Sequence, residues 1–374
     1  MGNEITKYDC AIVGGGLAGL CLAIQMVRLN HSVVIFEKND YPFHKVCGEY
    51  ISNESWDFLE SLGLPLSKMN LPLINQLGVS STQGFMLESP LKMGGFGISR
   101  FTLDYELSLI ARKHGVVVMQ SCKVNNVTKN DTHYLIDSAK GLYRATIVCG
   151  SYGKHNPLFI EKTSNPNTPN YIGVKYHIKT KFADNKIELH NFKDGYCGIS
   201  KVDGDKYCLC YLTTSKSLND NNNDVKQLEE TVLFQNPFLK NIFLNSEFLY
   251  DKPLTISQIV FNKKSTYSNH IFLLGDAAGA IAPLCGNGMS MGMRASKLLT
   301  HILNAYLLKE ISEEQAVSLY EIQWNQNFSK RIKAGYYLQQ ILGKNNLTHI
   351  SLKLLNASPK LLQKLITLTH GQPF

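Results

Sequence analysis

A glycine-rich turn between two short apolar runs constrains the fold of this chain more than any other stretch. The first run, residues 10–13, ends in the letters GGGLAG, and an amphipathic helical pattern follows. The second run, residues 33–36, ends in Glu37. Strand, glycine turn, helix, strand and acid, in this order, form the pattern of a dinucleotide-binding βαβ unit. The sequence therefore predicts a Rossmann-type domain at residues 8–37.

Each glycine of the turn has a physical reason. Gly14 permits a tight turn out of the strand, Gly16 lets a pyrophosphate approach the backbone, and Gly19 lets the helix pack close to the sheet. The helix N-terminus then offers free N–H groups to phosphates, and Glu37 is placed to accept from a ribose 2′-OH. Such an acid disfavours a 2′-phosphate, so we do not expect NADP at this turn. The residues of this unit predicted to bind the cofactor are Gly14, Gly16, Leu17, Ala18, Gly19, Glu37 and Lys38.

Composition narrows the class of protein. A chain of 374 residues suggests about two domains, and no apolar run approaches the roughly 18 residues that a membrane span needs. The start of the chain has no apolar signal core and the nine cysteines show no regular framework, so we expect a cytoplasmic protein with reduced thiols. Cys208 and Cys210 are interpreted as packed thiols, and no metal site is expected. The net charge of +8 fits an anionic ligand or a membrane surface, but no nucleic-acid motif accompanies it.

The rest of the chain contains segments that predict an inserted sheet, a segment typical of the nucleotide domain, and a helical tail. Short strand patterns near residues 71–100 and consecutive ones at 165–260 predict an antiparallel sheet inserted into the nucleotide domain. A short buried strand at residues 271–274 ends in GDAAG, and Pro283, the letters GNGM and a helix follow. The tail, 313–374, is helical by pattern, and from Arg331 onward it has no Asp or Glu. These helices either pack on the body or form a basic amphipathic surface that contacts a membrane or covers a lipophilic substrate channel.

Three separated signals carry a resemblance to a known family: the GGGLAG unit, the segment from Ser99-Arg100 to Asp104, and the GDAAG…P…GNGM segment. Together they resemble the FAD-dependent superfamily of p-hydroxybenzoate hydroxylase-type monooxygenases, flavin halogenases and geranylgeranyl reductases, over most of residues 8–305. The resemblance implies an α/β fold with a Rossmann-type FAD domain, an inserted antiparallel substrate domain and a helical C-terminus. The implied domains are 1–165 (FAD, with substrate-domain strands around 71–98), 166–262 (substrate), 263–310 (FAD again) and 311–374 (C-terminal helices).

The resemblance also implies the flavin-side residues. Asp276 would accept from a ribityl hydroxyl, the backbone between Pro283 and Met289 would line the flavin, and Arg100 matches an arginine beside it. The alternative for Arg100 is a surface salt bridge to Asp104 or Glu106. The additional cofactor residues are Cys47, Gly48, Arg100, Gly275, Asp276, Pro283, Gly286, Asn287, Gly288 and Met289.

The segment KVCGE, residues 45–49, looks most like the geranylgeranyl reductase branch. There Lys45 and Cys47 would lie beside the flavin, and Cys47 would either donate a proton or only shape the cavity. Tyr196 belongs to a segment similar to that branch's aromatic substrate motif, but Gly198 stands where the branch has tryptophan. Lys45, Cys47 and Tyr196 are therefore the candidate catalytic residues, and the substrate pocket is expected to differ in shape.

Several reactions remain open. The leading hypothesis is reduction of an alkene in a lipophilic small molecule by hydride from reduced FAD. The alternative is a monooxygenase that hydroxylates or epoxidises through a flavin hydroperoxide. A halogenase is less favoured, because the paired tryptophans of that branch are missing. A flavin carrier is also less favoured, because a structural FAD alone would not need Arg100, Pro283 and Gly288 together. NAD(P)H is the expected transient electron donor, with a reductase or ferredoxin partner as the alternative.

Overall fold

The structure is a computed structural model that describes residues 5–160, 170–259, 264–279 and 286–374. Its strands are β1 (Lys7–Val13), β2 (Val33–Phe36), β3 (Tyr50–Ser52), β4 (Leu73–Ser80), β5 (Met86–Gly97), β6 (Val117–Met119), β7 (Val124–Lys129), β8 (Tyr134–Ser138), β9 (Gly141–Gly150), β10 (Tyr171–Lys179), β11 (Lys186–Phe192), β12 (Gly195–Val202), β13 (Lys206–Thr214), β14 (Glu247–Phe248), β15 (Leu254–Ile259), β16 (Tyr267–Ser268) and β17 (Ile271–Leu273). Its α-helices are α1 (Leu17–Arg28), α2 (Trp56–Ser61), α3 (Arg100–Lys113), α4 (Ser215–Asn219), α5 (Val225–Thr231), α6 (Pro237–Leu244), α7 (Gly288–Leu307), α8 (Glu313–Ile341), α9 (Asn345–Ala357) and α10 (Pro359–Thr369).

The first sheet is built around the βαβ unit that the sequence predicts. Its strand order is β16-β17-β9-β1-β2-β6, and β7 and β8 extend it beside β9. The pairs β1–β2, β1–β9, β2–β6 and β9–β17 are parallel. All side chains of β2 are buried, as expected for a parallel sheet covered on both faces. This sheet confirms the Rossmann-type domain.

Small residues bring the late Gly-Asp segment onto the glycine turn. A methyl group added at Gly275 would lie 3.3 Å from Cβ of Ala18, and one at Gly292 would lie 3.5 Å from the same atom. The helices α1 and α7 therefore approach each other closely. As a result, residues more than 250 positions apart in the chain share one edge of the first sheet.

The second sheet has the order β14-β10-β13-β12-β11-β4-β5-β3, with β15 beside β10. Its pairs are antiparallel except β4–β11, where Lys186 lies opposite Gln76 in a parallel register. The predicted inserted sheet is thus present, and it also contains β3, which follows the segment 45–49 directly.

The two faces of the second sheet have different covers. Leu228 and Leu233 near α5, and Leu239 of α6, pack on one face against Val174 and other apolar side chains. On the opposite face, α9 and α10 pack against β4, β5 and β11 through a cluster that includes Leu352, Leu362, Val79, Leu87 and Leu189. The C-terminal helices therefore cover part of that second face. None of the helices in the described ranges is long and apolar enough to cross a bilayer.

Candidate functional site

The backbone of the glycine turn has a geometry that residues with a side chain cannot adopt. Gly14 has φ +103°, and a Cβ there would lie 2.4 Å from the carbonyl oxygen of Ser151. A Cβ at Gly19 would lie 2.5 Å from the carbonyl oxygen of Gly14. Gly16 caps α1 without any side-chain hydrogen bond, and the first turn carries no acid. In the part of the chain that the structure describes, no side chain accepts from the N–H groups at the start of α1, so these groups suit a phosphate.

Glu37 lies at the end of β2 beside this turn, as predicted. Its Oε2 accepts from the backbone N–H of Gly15 at 2.9 Å, and its Oε1 accepts from the N–H and the amide of Asn39 at 3.0 and 2.9 Å. An ionised carboxylate has about four acceptor sites, so capacity remains for one ribose hydroxyl. Lys38 is exposed next to it.

The late segment adds polar groups that have no partner among the described residues. Gly275 has φ +63° and opens a short 3-10 turn, and no described residue donates to the carboxylate of Asp276. At the start of α7, Oδ1 of Asn287 and Oγ of Ser290 are buried and have no hydrogen-bond partner within the described ranges. Gly286 and Gly288 flank Asn287, with φ +65° at Gly286. Pro283 lies outside the described residues.

These features fit FAD. The turn at residues 14–19 and Glu37 suit the adenosine and pyrophosphate part, because glycine is obligatory there and the helix N-terminus is free. Asp276 and the start of α7 suit the flavin part, because their polar atoms lack partners within the described chain. The close approach of α1 and α7 brings both sets to one edge of the first sheet.

Arg100 forms a buried ion pair rather than a surface one. Its Nε and Nη2 donate to the two carboxylate oxygens of Asp104 at 2.8 and 2.6 Å, and Lys45 Nζ lies 3.1 Å from the same carboxylate. Burial opposes ionisation of Asp104, but Arg100 and Lys45 outweigh it and lower its pKa. Both cations also lie near Gly16, since a Cβ there would be 3.4 Å from Lys45 Nζ and 3.9 Å from Arg100 Nη2. The predicted basic pair therefore borders the glycine turn.

The segment 45–49 is held against the second sheet at several points. The Glu49 carboxylate is fully buried, receives a hydrogen bond from Lys175 Nζ, lies 2.6 Å from His177 Nε2 and accepts from the Arg100 N–H at 2.7 Å. Lys175 Nζ also donates to the carbonyl oxygen of Lys45 at 3.1 Å. Glu49 itself has φ +56°, a left-handed conformation that non-glycine residues seldom adopt. We call Glu49, Lys175 and His177 the buried charge cluster.

The buried charge cluster continues toward the surface. Tyr250 Oη lies 2.6 Å from Nδ1 of His177 and 3.1 Å from Nε2 of His44, whose ring stacks on the exposed Phe101. Burial and the nearby Lys175 lower the pKa of His44, and burial raises the pKa of Tyr250 to about 12. A continuous chain of hydrogen-bonding groups therefore joins Glu49 to a partly exposed histidine.

Cys47 lies between this cluster and the start of α7. Its half-buried thiol is 3.7 Å from Sδ of Met289, and its carbonyl oxygen accepts from the Cys208 thiol at 3.2 Å. Next to it, Gly48 is exposed, and a Cβ added there would meet nothing within 4 Å. The predicted residues Cys47, Gly48 and Met289 thus come together beside open space.

Glu49, His177 and Cys208 also present possible metal-ligand atoms within 4.8 Å of one another. The Lys175 ammonium, however, already donates to Glu49, and burial raises the Cys208 pKa well above its usual value, which leaves a neutral thiol. Ligation by a metal needs a thiolate and a free carboxylate. We therefore interpret this group as a hydrogen-bonded ion pair.

Tyr196 lies on the same face of the second sheet as these residues. Strand pairing sets it opposite Leu212, two positions along from the pair of Gly198 with Cys210. It is buried in an apolar cluster with Leu212 and Ile259. A Cβ at Gly198 would find its nearest neighbour 3.4 Å away, so a methyl group would fit there in ordinary van der Waals contact. A catalytic role for Tyr196 stays a prediction.

The sequence analysis missed Lys175, His177 and Tyr250. A signal was available for two of them, because Lys175 and His177 sit two apart within the apolar strand β10 and both are buried. Alternation places such residues on one face, and a buried lysine needs a charged partner. The partner, Glu49, lies more than 120 positions earlier in the chain.

Comparison with known proteins agrees with this geometry. Residues 12–48 match the family model of the NAD(P)-binding Rossmann-like domain. An uncharacterised protein of Methanocaldococcus jannaschii is 30% identical over 366 residues, which cover 93% of this chain and 88% of the relative. The digeranylgeranylglycerophospholipid reductase of Methanococcus vannielii is 20% identical over 378 residues (91% and 88%). A kynurenine 3-monooxygenase of Flavobacterium johnsoniae is 24% identical over 337 residues (80% and 74%).

Among solved structures, the flavin-dependent brominase Bmp2 superposes with a TM-score of 0.80 at 16% identity. The match covers 97% of this chain and 93% of the brominase. At this identity the likeness concerns the fold.

Proposed function

We propose a reaction and a substrate class for this chain, which belongs to the superfamily of FAD-dependent oxidoreductases. The proposed reaction is reduction of a carbon–carbon double bond in a lipophilic small molecule. The observation that carries the proposal is the position of Cys47: a half-buried thiol beside open space, on a segment held by buried charges. The similarity to an archaeal digeranylgeranylglycerophospholipid reductase supports the same reaction.

The chemistry divides between the cofactor and the chain. Saturation of an alkene adds a hydride, with its two electrons, to one carbon and a proton to the other. Bound FAD, reduced by an external donor, supplies the hydride. The proton comes from the Cys47 Sγ–H, and the resulting thiolate regains a proton from water entering beside Gly48. NAD(P)H is the proposed donor, with a reductase or ferredoxin partner as the alternative.

The buried charge cluster positions this thiol. Lys175 holds the carbonyl oxygen of Lys45 and Cys208 holds that of Cys47, so the backbone on both sides of the segment is fixed. Burial alone would lower the Lys175 pKa, but the neighbouring groups, Cys208 and Glu49 foremost, together outweigh burial and the pKa is raised. Lys175 therefore stays charged at neutral pH and keeps donating.

The surroundings suit an apolar substrate. The face of the second sheet around Tyr196 carries Leu212, Ile259 and partly buried side chains from the end of α8. Further along the same face, α9 and α10 contribute Leu352, Leu362 and Ile366. A lipophilic chain passing between this face and the C-terminal helices would remain out of water.

The test is anaerobic turnover. The protein with FAD reduced by light would be mixed with geranylgeraniol, and products would be followed by mass spectrometry. We expect a gain of two hydrogens per reduced bond without oxygen, and a fall of at least about a hundredfold in Cys47→Ala, within the usual range for loss of a general acid. Cys122→Ala, a buried thiol of the first domain, is the matched control. If Cys47→Ala keeps a normal flavin spectrum and full turnover, the thiol is not the proton donor.

A monooxygenase is the second candidate, because a kynurenine 3-monooxygenase matches over 80% of this chain. This function requires oxygen, and the product then gains an oxygen atom rather than two hydrogens. A product that carries label from ¹⁸O₂, and that is absent under anaerobic conditions, would replace the reductase proposal by this one.

The C-terminal helices support a membrane contact as part of the proposal. Exposed apolar residues recur there, including Tyr336, Tyr337, Ile350, Leu354 and Leu361, and the chain carries no acid from Arg331 to its last residue. Basic charge beside exposed apolar side chains suits an anionic lipid surface, from which a lipophilic substrate would enter. Sedimentation with vesicles of anionic lipid, but not with vesicles of neutral lipid, is the expected result. Equal recovery with both would contradict it.

A further inference from the structure

A second recess lies away from the glycine turn and from the segment 45–49. It is a cleft of about 550 Å³ between β5 and the helices α7, α8 and α10. Lys92, Arg294, Arg331 and His370 line it, and no acidic side chain does so among the described residues. We call it the basic cleft.

The cations of the basic cleft are only partly compensated. Arg331 is buried, and its Nη1 lies 3.3 Å from Glu54, the carboxylate behind the cleft wall. No described carboxylate pairs with Arg294, whose Nη1 donates to the carbonyl oxygen of Gln372 at 3.0 Å. A guanidinium has five N–H donors, so most of those on Arg294 are left for a ligand.

Arg331 opposes the charge on Arg294, and Glu54 offsets only part of this effect. Burial and the neighbouring Arg331 both lower the pKa of Arg294, and burial together with Arg331 lowers that of His370. A purely structural role for Arg294 is anchoring of the chain end, where it also lies 5.3 Å from the ring of Phe374. That role uses one donor and the ring, and it does not require a second arginine and a lysine in the same recess.

One wall of the basic cleft is apolar. Leu91 and Ile366 line it and belong to a cluster with Tyr50, Ile74 and Ile187 that continues along the second sheet. A ligand that suits the cleft thus has a charged end and an apolar remainder.

Helix α7 and the apolar wall connect the basic cleft to the proposed reaction site. Met289, which contacts Cys47, and Arg294 are five residues apart on α7, about 8 Å along its axis at 1.5 Å per residue and about 140° apart around it at 3.6 residues per turn. An amphiphile held by its charged end in the cleft would instead extend toward the segment 45–49 along the apolar wall, which clusters with Tyr50, the residue that follows this segment.

We infer that the basic cleft binds the anionic group, phosphate or carboxylate, of an amphiphilic ligand, with Arg294 and Arg331 as the main contacts. If the proposed reductase function holds, that ligand is the substrate. The inference is tested by binding without turnover, so failure of one does not imply failure of the other.

The experiment is calorimetric titration of the FAD-loaded protein at pH 7 and low salt. The probes are dodecyl phosphate below its micellar concentration, inorganic phosphate, and neutral dodecyl glucoside. The variants are Arg294→Gln and, on an exposed strand position, Lys92→Gln, each checked for an unchanged flavin spectrum and circular dichroism. Lys364→Gln, an exposed α10 residue that does not line the cleft, is the control with the same charge change.

We expect dodecyl phosphate to bind to the wild-type protein. Its affinity should fall about tenfold or more in Arg294→Gln, as expected for the loss of a charged hydrogen bond, and should change less than about twofold in Lys364→Gln. Lys92→Gln should weaken it about threefold, the usual effect of losing one exposed charge. If inorganic phosphate binds as tightly as dodecyl phosphate, the cleft serves a free anion. If it binds far more weakly, the cleft serves an anionic amphiphile. Equal affinity of Arg294→Gln and Lys364→Gln, or tighter binding of the glucoside than of the phosphate ester, would overturn the inference.

Discussion

Replacing Glu49 with glutamine tests whether buried charge holds the segment 45–49. The substitution keeps the size of the side chain but removes the negative charge that Lys175 Nζ and His177 contact. Lys175, which has no exposed side-chain surface, would then be left as an unpaired buried cation. The substitution therefore removes one partner of a buried ion pair and leaves the other charged, which costs more unfolding free energy than removing both charges.

The expected cost at pH 7 is about 3–5 kcal/mol of unfolding free energy, the range for removing one partner of a buried ion pair. It should shrink at higher pH, because burial lowers the pKa of an unpaired Lys175 and neutralises it. In the wild type, burial opposes ionisation of Glu49, but His177 and Lys175 prevail and bring its pKa below 4.5. A depressed carboxyl pKa stabilises the fold above pH 4.5 and loses this contribution as the pH falls through the folded value.

The assay is urea unfolding followed by tryptophan fluorescence, for Glu49→Gln, Lys175→Met and the double variant. The double variant removes both charges and should recover at least about 2 kcal/mol of the summed losses. Glu88→Gln is the control, because Glu88 also pairs with a lysine, Lys186, but is 64% exposed, and should cost under about 1 kcal/mol. A loss below about 1 kcal/mol in Glu49→Gln, or simple additivity in the double variant, would refute the account of a buried ion pair.

Three further substitutions probe other parts of the molecule. In Gly16→Ala the added methyl would lie 3.4 Å from its nearest neighbour, so the fold should survive while FAD affinity falls at least about tenfold; an unchanged fluorescence titration would contradict this placement of the pyrophosphate. Glu229 accepts from two tyrosines, and burial raises its pKa from 4.5 to about 7, so its contribution to stability is complete below pH 4.5 and is lost as the pH rises through 7. The unfolding free energy of Glu229→Gln, taken relative to wild type at the same pH, should therefore be about 3 kcal/mol higher at pH 8 than at pH 4.5. Equal shifts of the thermal unfolding temperature at both pH values would refute it. Gly198→Trp would project an indole from the sheet beside Leu189 and should lower kcat/KM at least about tenfold for long substrates but not for short ones; equal losses for both lengths would show that this position does not line the pocket.

The parts of the fold that the sequence predicted are those set by local patterns. The glycine turn between β1 and α1 is dictated by backbone clashes within a few residues, so its letters were enough. The late Gly-Asp strand and the helical tail carry equally local signals. The meeting of the Gly-Asp segment with the glycine turn at one sheet edge followed from the family resemblance, and the contacts among Ala18, Gly275 and Gly292 give the physical reason.

What the sequence did not predict depends on pairing between distant residues. The parallel register of β4 with β11, and the membership of β3 in the second sheet, result from strand pairing that no single stretch encodes. The buried charge cluster joins positions 49, 175 and 177, and the basic cleft joins β5 to three helices. In each case the residue types were visible in the sequence, while their neighbours were not.

The position of Cys47 depends on polar contacts more than on shape. Apolar packing tolerates sliding and repacking, but each hydrogen bond to the segment 45–49 fixes one backbone atom against one strand. Lys175 and His177 come from β10 and Cys208 from β13, whereas the segment they hold runs between β2 of the first sheet and β3 of the second. A buried apolar set in their place would stabilise the fold as well, or better, without fixing the thiol. The buried charge cluster therefore fixes the segment 45–49 against β10, which is why its loss should reduce turnover even where stability is restored.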